Sequence, residues 1–328
     1  MFSAFAQPFR RPGAVPQVTI GMGISRRQGR VPYVREFIKL KLRSLAHPRA
    51  TRRWLRLLNS HPAFAEYVRH SPRLMYKIYR PYMTLQLPME ARLAALAVHY
   101  TTVFERGLDG MVALAAAAPL PLVRFEGRDG GEYDIALRAI TPLEREGELV
   151  LQLREAGMPL YAVAFTFAER DGKLAVNIGC IQGAKDEGTR EAIRRATRQL
   201  HGLRPKQLLV TVIRHLGHEF GCGELRLVAN ANRVVRSAIR NGTVHADYDQ
   251  LWDEMGASKR ADGDFSLPCA PLAEPDLEGV PSKKRSEARR RHSMLASLCI
   301  AVAAGFGGAA LPEAIQAEEV PVAGRARV

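Results

Sequence analysis

The chain has 328 residues, of which 47% are hydrophobic and 25% are charged. This composition is typical of a globular protein with a sizeable core, and it excludes a chain that is disordered along its whole length. The 48 Lys and Arg residues outnumber the 33 Asp and Glu residues, so the formal net charge is +15. Such an excess attracts nucleic acid, anionic lipid headgroups or acidic proteins, although a basic composition also serves solubility alone.

The positive charge is concentrated near the two ends of the chain. The first 60 residues contain 13 Lys or Arg and a single acid, Glu36. Residues 1–30 are rich in Gly, Pro and Arg, which predicts a disordered basic arm. A second cluster, with Glu287 as its single acid, predicts a basic surface near the C-terminus. Its cations are Lys283, Lys284, Arg285, Arg289, Arg290 and Arg291.

Residues 31–118 are predicted to form a helical N-terminal part. Val34, Phe37, Ile38 and Leu45 mark a first amphipathic run, and further apolar runs follow it. Prolines separate these runs, which indicates a series of short helices because proline ends or opens a helix.

Period-two patterns predict an α+β core over residues 119–292. Five apolar or alternating segments, joined by hairpin sequences such as R-D-G-K at residues 170–173, predict an antiparallel β-meander. A helix with a cationic outer face at 190–200, a second helix that begins at Pro205 and a strand at 224–229 follow. The five strand segments are residues 120–125, 133–140, 149–153, 160–167 and 174–181.

The signals are weaker toward the C-terminus. Residues 248–255 predict a short helix, and the proline-containing residues 256–281 predict a loop. Residues 293–328 predict a C-terminal apolar helix and a flexible tail. Within them, residues 294–311 are uncharged and just reach the length of a membrane span. Glycines dilute this segment, so a helix that packs on the domain or lies on a membrane surface is favoured.

The cysteine and histidine spacings predict no metal site. The four cysteines are far apart and form no C-x-x-C pair, so neither a disulfide framework nor a zinc site is expected and a reducing compartment fits. His215 and His218 lack the spacing of a zinc protease. The N-terminus lacks the apolar segment of a secretory signal. We therefore expect a cytoplasmic protein, with the inner membrane surface as a peripheral alternative.

Two neighbouring segments contain the candidate site residues. Gln182 and Gly183 are binding candidates in a predicted turn between a strand and a helix, where backbone N–H groups and the helix dipole attract phosphate or an anionic cofactor. The next interhelix loop contains His201, a catalytic candidate because imidazole titrates near neutral pH, and the cations Arg204 and Lys206. Both segments also have purely structural interpretations. The first is a strand end where only glycine fits, and the second is a helix cap.

Seven short motifs of the chain occur together in one bacterial family. The strongest are I-G-C-I-Q-G at residues 178–183 and T-R-Q-L-H-G-L-R-P-K at residues 197–206. The others are A-T-R-R-W-L-R (50–56), R-P-Y (80–82), H-Y (99–100), W-D-E-M-G (252–256) and S-K-K-R-S-E-A-R-R-R (282–291). In this combination the chain resembles the VirK/YbjX family. That resemblance implies a domain of unknown function linked to virulence, envelope integrity, resistance to antimicrobial peptides and the DNA-damage response. It implies no reaction, cofactor or catalytic residue.

Three functions remain open, and whether the chain is an enzyme is open with them. The first is a basic accessory factor in envelope integrity, virulence or stress response, which acts at the cytoplasmic membrane face on anionic lipid or an acidic protein partner. The second is an acyltransferase that uses acyl-CoA, because the order meander, turn, helix, strand resembles a GNAT-like core. Two features differ from that fold: its usual R/Q-x-x-G-x-G/A signature is incomplete in this sequence, and two helices stand where one is expected. The third is a nucleic-acid-binding stress protein, favoured by a pI near 10.1 but without a recognisable nucleic-acid-binding motif.

Overall fold

A computed structural model describes residues 17–23, 30–183, 188–235 and 247–307, and the first part of the fold is helical. Its helices are α1 (Arg30–Ala46), α2 (Pro48–Leu58), α3 (Ala63–His70), the 3₁₀ helix Pro72–Tyr79, α4 (Met89–Glu105) and α5 (Asp109–Ala117). Proline stands in the first turn of α2 and of the 3₁₀ helix, where its missing N–H costs nothing. Val18 is buried against this part, and its N–H donates to Asn59 Oδ1 at 2.9 Å. Residues 20–23 of the predicted arm form a short 3₁₀ helix, whereas residues 1–16 and 24–29 of that arm and residues 308–328 of the predicted tail lie outside the described residues.

An eight-stranded sheet forms the second part of the fold. Its strands are β1 (Leu120–Glu126), β2 (Glu132–Ala139), β3 (Leu149–Glu155), β4 (Met158–Arg170), β5 (Lys173–Gly183), β6 (Glu224–Leu227), β7 (Ser258–Lys259) and β8 (Phe265–Pro268). Their order is β1-β2-β3-β4-β5-β6-β8-β7, and every neighbouring pair except β5 and β6 is antiparallel. Asp171 and Gly172 both have positive φ at the β4–β5 hairpin, as a type I′ turn requires. The predicted meander and the α+β fold class are confirmed.

Two helices connect β5 to β6, which allows these strands to be parallel. They are α6 (Thr189–Gln199) and α7 (Pro205–Glu219), and they confirm the predicted order helix, helix, strand. Gly217 lets α7 approach the sheet closely, because a Cβ there would lie 3.1 Å from Val176 Cγ2. The apolar stripe of α7 faces the core through Leu208, Leu209, Val212, Ile213 and Leu216. The last helices are α8 (Tyr248–Glu254) and α9 (Ser282–Phe306).

Two segments differ from the sequence interpretation. The predicted turn around Gln182 is wrong, because β5 continues to Gly183 and pairs there with β4. Gly179 forms a β-bulge in this strand, and a Cβ on it would lie 2.0 Å from the carbonyl oxygen of Glu146. The predicted loop over residues 256–281 is wrong in part, because β7 and β8 form there by pairing at the edge of the sheet.

The apolar half of α9 belongs to the core. It packs on α7 and β1, and its buried side chains include Leu295, Leu298, Cys299, Val302 and Phe306. Residues 308–311 of the uncharged segment lie outside the described residues. Across the described ranges, no helix combines the length and the hydropathy that a membrane crossing requires.

A buried polar network joins the helical part to the sheet. Lys77 Nζ and Tyr82 OH donate to Glu148 Oε1, the second at 2.7 Å, and Tyr100 OH donates to Glu148 Oε2 at 2.6 Å. Burial, together with the charge of Glu148, raises the pKa of Tyr82 and of Tyr100 well above the usual range. Since an unpaired charge here would be costly, the network fixes the 3₁₀ helix and α4 against the start of β3.

Candidate functional site

The helix α1 exposes an apolar stripe to solvent. Val34, Ile38, Leu42 and Leu45 are 51%, 50%, 61% and 73% exposed. Their spacings of four, four and three residues place them on one face of the helix. Leu40, on the other side, is fully buried and anchors the helix. We call these four exposed side chains the α1 stripe.

Cations border the α1 stripe on both sides. At about 100° per residue, Lys41 lies along one edge, and Arg35 and Lys39 lie along the other. The side chains of Arg35 and Lys39 are 70% and 47% exposed. Glu36, the single acid of α1, accepts a hydrogen bond from Lys39 Nζ at 3.2 Å, and this bond lowers the pKa of its carboxyl. An apolar face with flanking cations is the arrangement of helices that lie in a membrane interface.

Sequence reasoning finds the amphipathic run of α1 but not which of its faces is buried. Val34, Ile38 and Leu45 belong to the predicted run, and the structure leaves all three at least half exposed. The available signal is the position of the cations, since Lys39 and Lys41 adjoin the apolar residues that stay in solvent.

The predicted basic surface lies on the N-terminal half of α9. Five of its six cations are exposed, and Arg291 is half-buried. Among the described residues, none of the six side chains forms an ion pair, and Arg285 Nε donates to the carbonyl oxygen of Val280 at 3.0 Å. This half of α9 is therefore a second surface of uncompensated positive charge.

His201 lies where three elements meet. In the β1–β2 turn, Arg128 N donates to the carbonyl oxygen of Gln199 at 2.9 Å, and Arg128 Nη1 lies 3.9 Å from Glu287 Oε1 of α9. His201 follows α6 with a φ of 51°. Burial, and then the charges of Arg128 and Arg290, lower the pKa of its imidazole and so favour the neutral form. The structure thus brings this catalytic candidate to the basic surface.

The other candidate residues face different elements. Arg204 Nη1 donates to Glu254 Oε2 of α8 at 2.8 Å. Lys206 is near the same carboxylate: burial lowers the pKa of its ammonium group, and the charge of Glu254 raises it. Gln182 and Gly183 end β5, where the latter packs against a tyrosine ring of β4. Arg204 and Lys206 therefore lie near α8, and a common site of Gln182 with Arg204 stays a prediction.

The hydroxyl of Tyr248, which sequence reasoning missed, bonds the edge of β5 past the point where β5 stops pairing with β6. The pairing of these two strands ends at Ile178. Farther along β5, Tyr248 OH donates to the carbonyl oxygen of Ile181 at 2.5 Å and accepts from Ile181 N at 2.6 Å. The Arg233 guanidinium lies 3.7 Å from the centre of the Tyr248 ring. The sequence shows no local signal for this contact, because its partners are 67 residues apart.

Burial disfavours the reactive thiolate form at three of the four cysteines. All four are free thiols, and burial raises the pKa of Cys222, Cys269 and Cys299 to about 12. Such thiols are protonated at neutral pH and react slowly. Within the described part of the chain, no three His, Cys, Asp or Glu side chains are grouped so as to hold a metal ion.

Comparisons with known proteins identify relatives along most of the chain. A family model described as "Protein of unknown function (DUF535)" matches residues 30–304. The uncharacterized protein YbjX of Escherichia coli (strain K12) is 32% identical over 275 residues, which cover 82% of this chain and 83% of that protein. An uncharacterized protein of Haemophilus influenzae is 24% identical, covering 79% of this chain and 85% of its own length. The "Membrane protein LapB" of Mannheimia haemolytica is 23% identical, covering 58% of this chain and 80% of that protein.

Among solved structures, the chain is similar to a cAMP-binding acyltransferase from Mycobacterium smegmatis. The match has a TM-score of 0.28 and 13% identity, and it covers 67% of this chain and 65% of that one, slightly less than two thirds. A TM-score this low supports no inference about function. The family model and the E. coli relative each match about four fifths of the chain or more, and the chain therefore belongs to the DUF535 family, the VirK/YbjX family that its motifs predict.

Proposed function

We propose that this protein binds peripherally to anionic membrane surfaces through α1, as an accessory factor of the cell envelope. The observation that carries the proposal is the α1 stripe with cations on both of its edges. Such a stripe inserts at the boundary between lipid headgroups and acyl chains, while the flanking Lys and Arg reach the phosphates. The basic surface of α9 offers further cations to the same class of lipid.

The expected affinity follows from apolar burial and charge. Full burial of a Val, Leu or Ile side chain contributes about 1.5–3 kcal/mol, so four side chains that are half exposed or more contribute about 4 kcal/mol. Arg35, Lys39 and Lys41 contribute about 1 kcal/mol each at an anionic surface. The total corresponds to a reversible association with a dissociation constant on the order of 10 μM.

Two further observations support a role at the envelope. The VirK/YbjX resemblance associates the family with envelope integrity, virulence and stress responses, and one relative bears the name "Membrane protein LapB". We extend the proposal to these responses, and we place the protein at the cytoplasmic leaflet because that leaflet carries anionic lipid.

Vesicle flotation tests this proposal. The full chain is mixed with vesicles of phosphatidylcholine alone or with added phosphatidylglycerol, and the recovered fraction is measured. We expect recovery with the anionic vesicles only, and less of it as salt screens the charges. Leu42→Glu introduces a charge into the α1 stripe and is expected to reduce binding tenfold or more. Leu114→Glu on α5 is the matched control, because Leu114 is equally exposed, at 61%.

Two results would contradict the proposal. The first is equal recovery with neutral and anionic vesicles, because the flanking cations would then contribute nothing. The second is equal recovery of the Leu42→Glu and Leu114→Glu proteins. If binding instead responds only to the double substitution Arg289→Ser and Arg290→Ser, the lipid contact belongs to the basic surface of α9 and not to α1.

We infer a second candidate function, acyl transfer from acyl-CoA, from the divergence of β5 and β6. Pairing stops at Ile178, whereas β5 continues to Gln182 and Gly183 and leads toward α6. An acyl-CoA in this gap would meet the β5 backbone where Tyr248 now bonds Ile181, so the tyrosine would have to move. Calorimetry with acetyl-CoA and longer acyl-CoAs tests the idea on the unchanged chain and on Tyr248→Phe. If neither protein gives a heat of binding with any of these acyl-CoAs, this second candidate function is excluded.

A further inference from the structure

The first half of α9 has its six cations on three sides of the helix. At about 100° per residue, the cations fall into three pairs, and the members of each pair lie within about 40° of each other. The pairs are Lys283 with Arg290, Lys284 with Arg291, and Arg285 with Arg289. Residues 281–286 are all exposed, including Lys284, which is on the same side of the helix as the buried Val302. This end of α9 therefore projects beyond the domain with positive charge around it.

The β1–β2 turn and the loop after α6 adjoin this surface. The side chain of Arg128 in the turn is 55% exposed, and its Nη1 lies 3.9 Å from Glu287 Oε1 of α9. Burial, and then the charges of Arg128 and Arg290, lower the pKa of the His201 imidazole, so both cations lie near this ring. With Arg128 and its neighbour Asp129 included, the surface has seven cations and two acids, so most of its positive charge is uncompensated.

Within the described part of the chain, the cationic half of α9 exposes no large apolar side chain. The exposed one on this helix is Ile300, which belongs to the second, apolar half. The cationic half therefore offers no large side chain for insertion among acyl chains, whereas the α1 stripe offers four. A membrane is also flat on this scale, so cations on one side of the helix would reach it while the others stayed in water. The favoured partner is a polyanion that surrounds the helix.

The major groove of double-stranded DNA matches this arrangement. The groove is about 12 Å wide, admits an α-helix and has a phosphate backbone along each of its edges. Cations on different sides of a helix in this groove therefore reach both backbones at once. The ten residues that contain the six cations span about 15 Å of helix, and the duplex has one negative charge per about 1.7 Å, so several phosphates lie within reach. The major groove of duplex RNA is too narrow for such a contact, which favours DNA.

We propose that the basic surface of α9 binds double-stranded DNA through its phosphate backbones. The long Lys and Arg side chains pair with phosphates across the groove, and Arg128 extends the positive surface toward the flanking phosphates. Each neutralised phosphate releases its counterions, so the affinity depends strongly on salt. This site is separate from the α1 stripe and does not depend on membrane binding.

Fluorescence anisotropy of a labelled DNA duplex of about 20 base pairs, titrated with the full chain, tests the inference. Five phosphate contacts give a slope of about −4.5 for the logarithm of the association constant against that of salt, so the affinity should fall by about 10²–10³ between about 50 mM and 200 mM salt. Arg289→Ser combined with Arg290→Ser removes two of these contacts from exposed positions. We expect this double variant to bind about tenfold more weakly or worse at the lower salt concentration, with a slope that is less steep by about two.

Lys173→Ser combined with Lys259→Ser is the matched control, because it removes the same charge from exposed positions on β5 and β7. This control and Leu42→Glu in the α1 stripe should both bind DNA as the unchanged chain does. The inference is overturned if the duplex does not bind at the lower salt concentration, or if the affinity does not fall with salt. It is also overturned if the Arg289→Ser and Arg290→Ser protein binds DNA as tightly as the control. If that protein then loses only its recovery with anionic vesicles, the surface belongs to lipid.

Discussion

Replacing Lys77 with methionine tests how strongly the buried network at Glu148 holds the two parts of the fold together. The substitution keeps a long side chain and removes the ammonium group that donates to Glu148 Oε1. The side chains of Lys77 and Glu148 are only 2% and 1% exposed, so water does not take the place of the lost donor. The carboxylate then keeps the hydroxyls of Tyr82 and Tyr100 but has no counter-charge.

We expect Lys77→Met to lower the free energy of unfolding by an amount near the lower end of the range for a broken buried ion pair. Removal of one partner of such a pair costs about 3–5 kcal/mol. Because two hydrogen bonds from tyrosine still stabilise the Glu148 carboxylate, we expect the free energy of unfolding to fall by about 3 kcal/mol. That is a large share of the roughly 5–15 kcal/mol by which domains are stable.

Urea unfolding followed by circular dichroism measures this loss. Lys39→Met is the matched control, because it breaks an exposed pair with Glu36 whose side chains are 47% and 28% exposed, and it should cost below about 0.5 kcal/mol. Combining Lys77→Met with Glu148→Leu removes both charges and should cost less than the sum of the single losses. A loss below about 1 kcal/mol for Lys77→Met, or strict additivity in the double variant, would refute the reasoning.

Three further outcomes are expected. Burial lowers the pKa of His99 to about 3, so below pH 6.5 the unfolded chain binds a proton that the folded chain does not. Stability should therefore fall by up to about 1.4 kcal/mol per unit as the pH drops from 6.5, and His99→Phe should flatten this slope in urea unfolding. Gly179→Ala should cost about 1–3 kcal/mol or more, because its Cβ would meet the Glu146 carbonyl, whereas Gly110→Ala has open space and should be tolerated in the same thermal melts. Tyr248→Phe should cost about 1–3 kcal/mol by leaving two main-chain groups of β5 unpaired, and faster amide exchange there would report it.

The interhelix loop shows how far site prediction from sequence extends. His201, Arg204 and Lys206 stand within six residues, which predicts a single cluster. In the structure, the imidazole of His201 lies near Arg128 and α9, whereas the guanidinium of Arg204 bonds α8. Side chains close in sequence diverge here because a loop between helices presents successive residues to different neighbours.

The order of elements was determined by local patterns. Alternating apolar residues and the Asp171-Gly172 turn predict the hairpin because strand period and turn conformation depend on adjacent residues. Pro205 similarly predicts the start of α7, since proline suits the first helical position. The net charge of the first 60 residues also follows directly from composition.

Tertiary structure alone decided which faces and atoms meet. The α1 stripe has the period of any amphipathic helix, and only packing left Leu42 in solvent while it buried Leu40. The bulge position 179 requires glycine because the Glu146 carbonyl, from a segment more than 30 residues away, leaves no space for a Cβ. Asn177 and Arg226 become neighbours through strand pairing across two helices. Such contacts depend on the relative placement of elements far apart in the chain, for which a single sequence contains no local pattern.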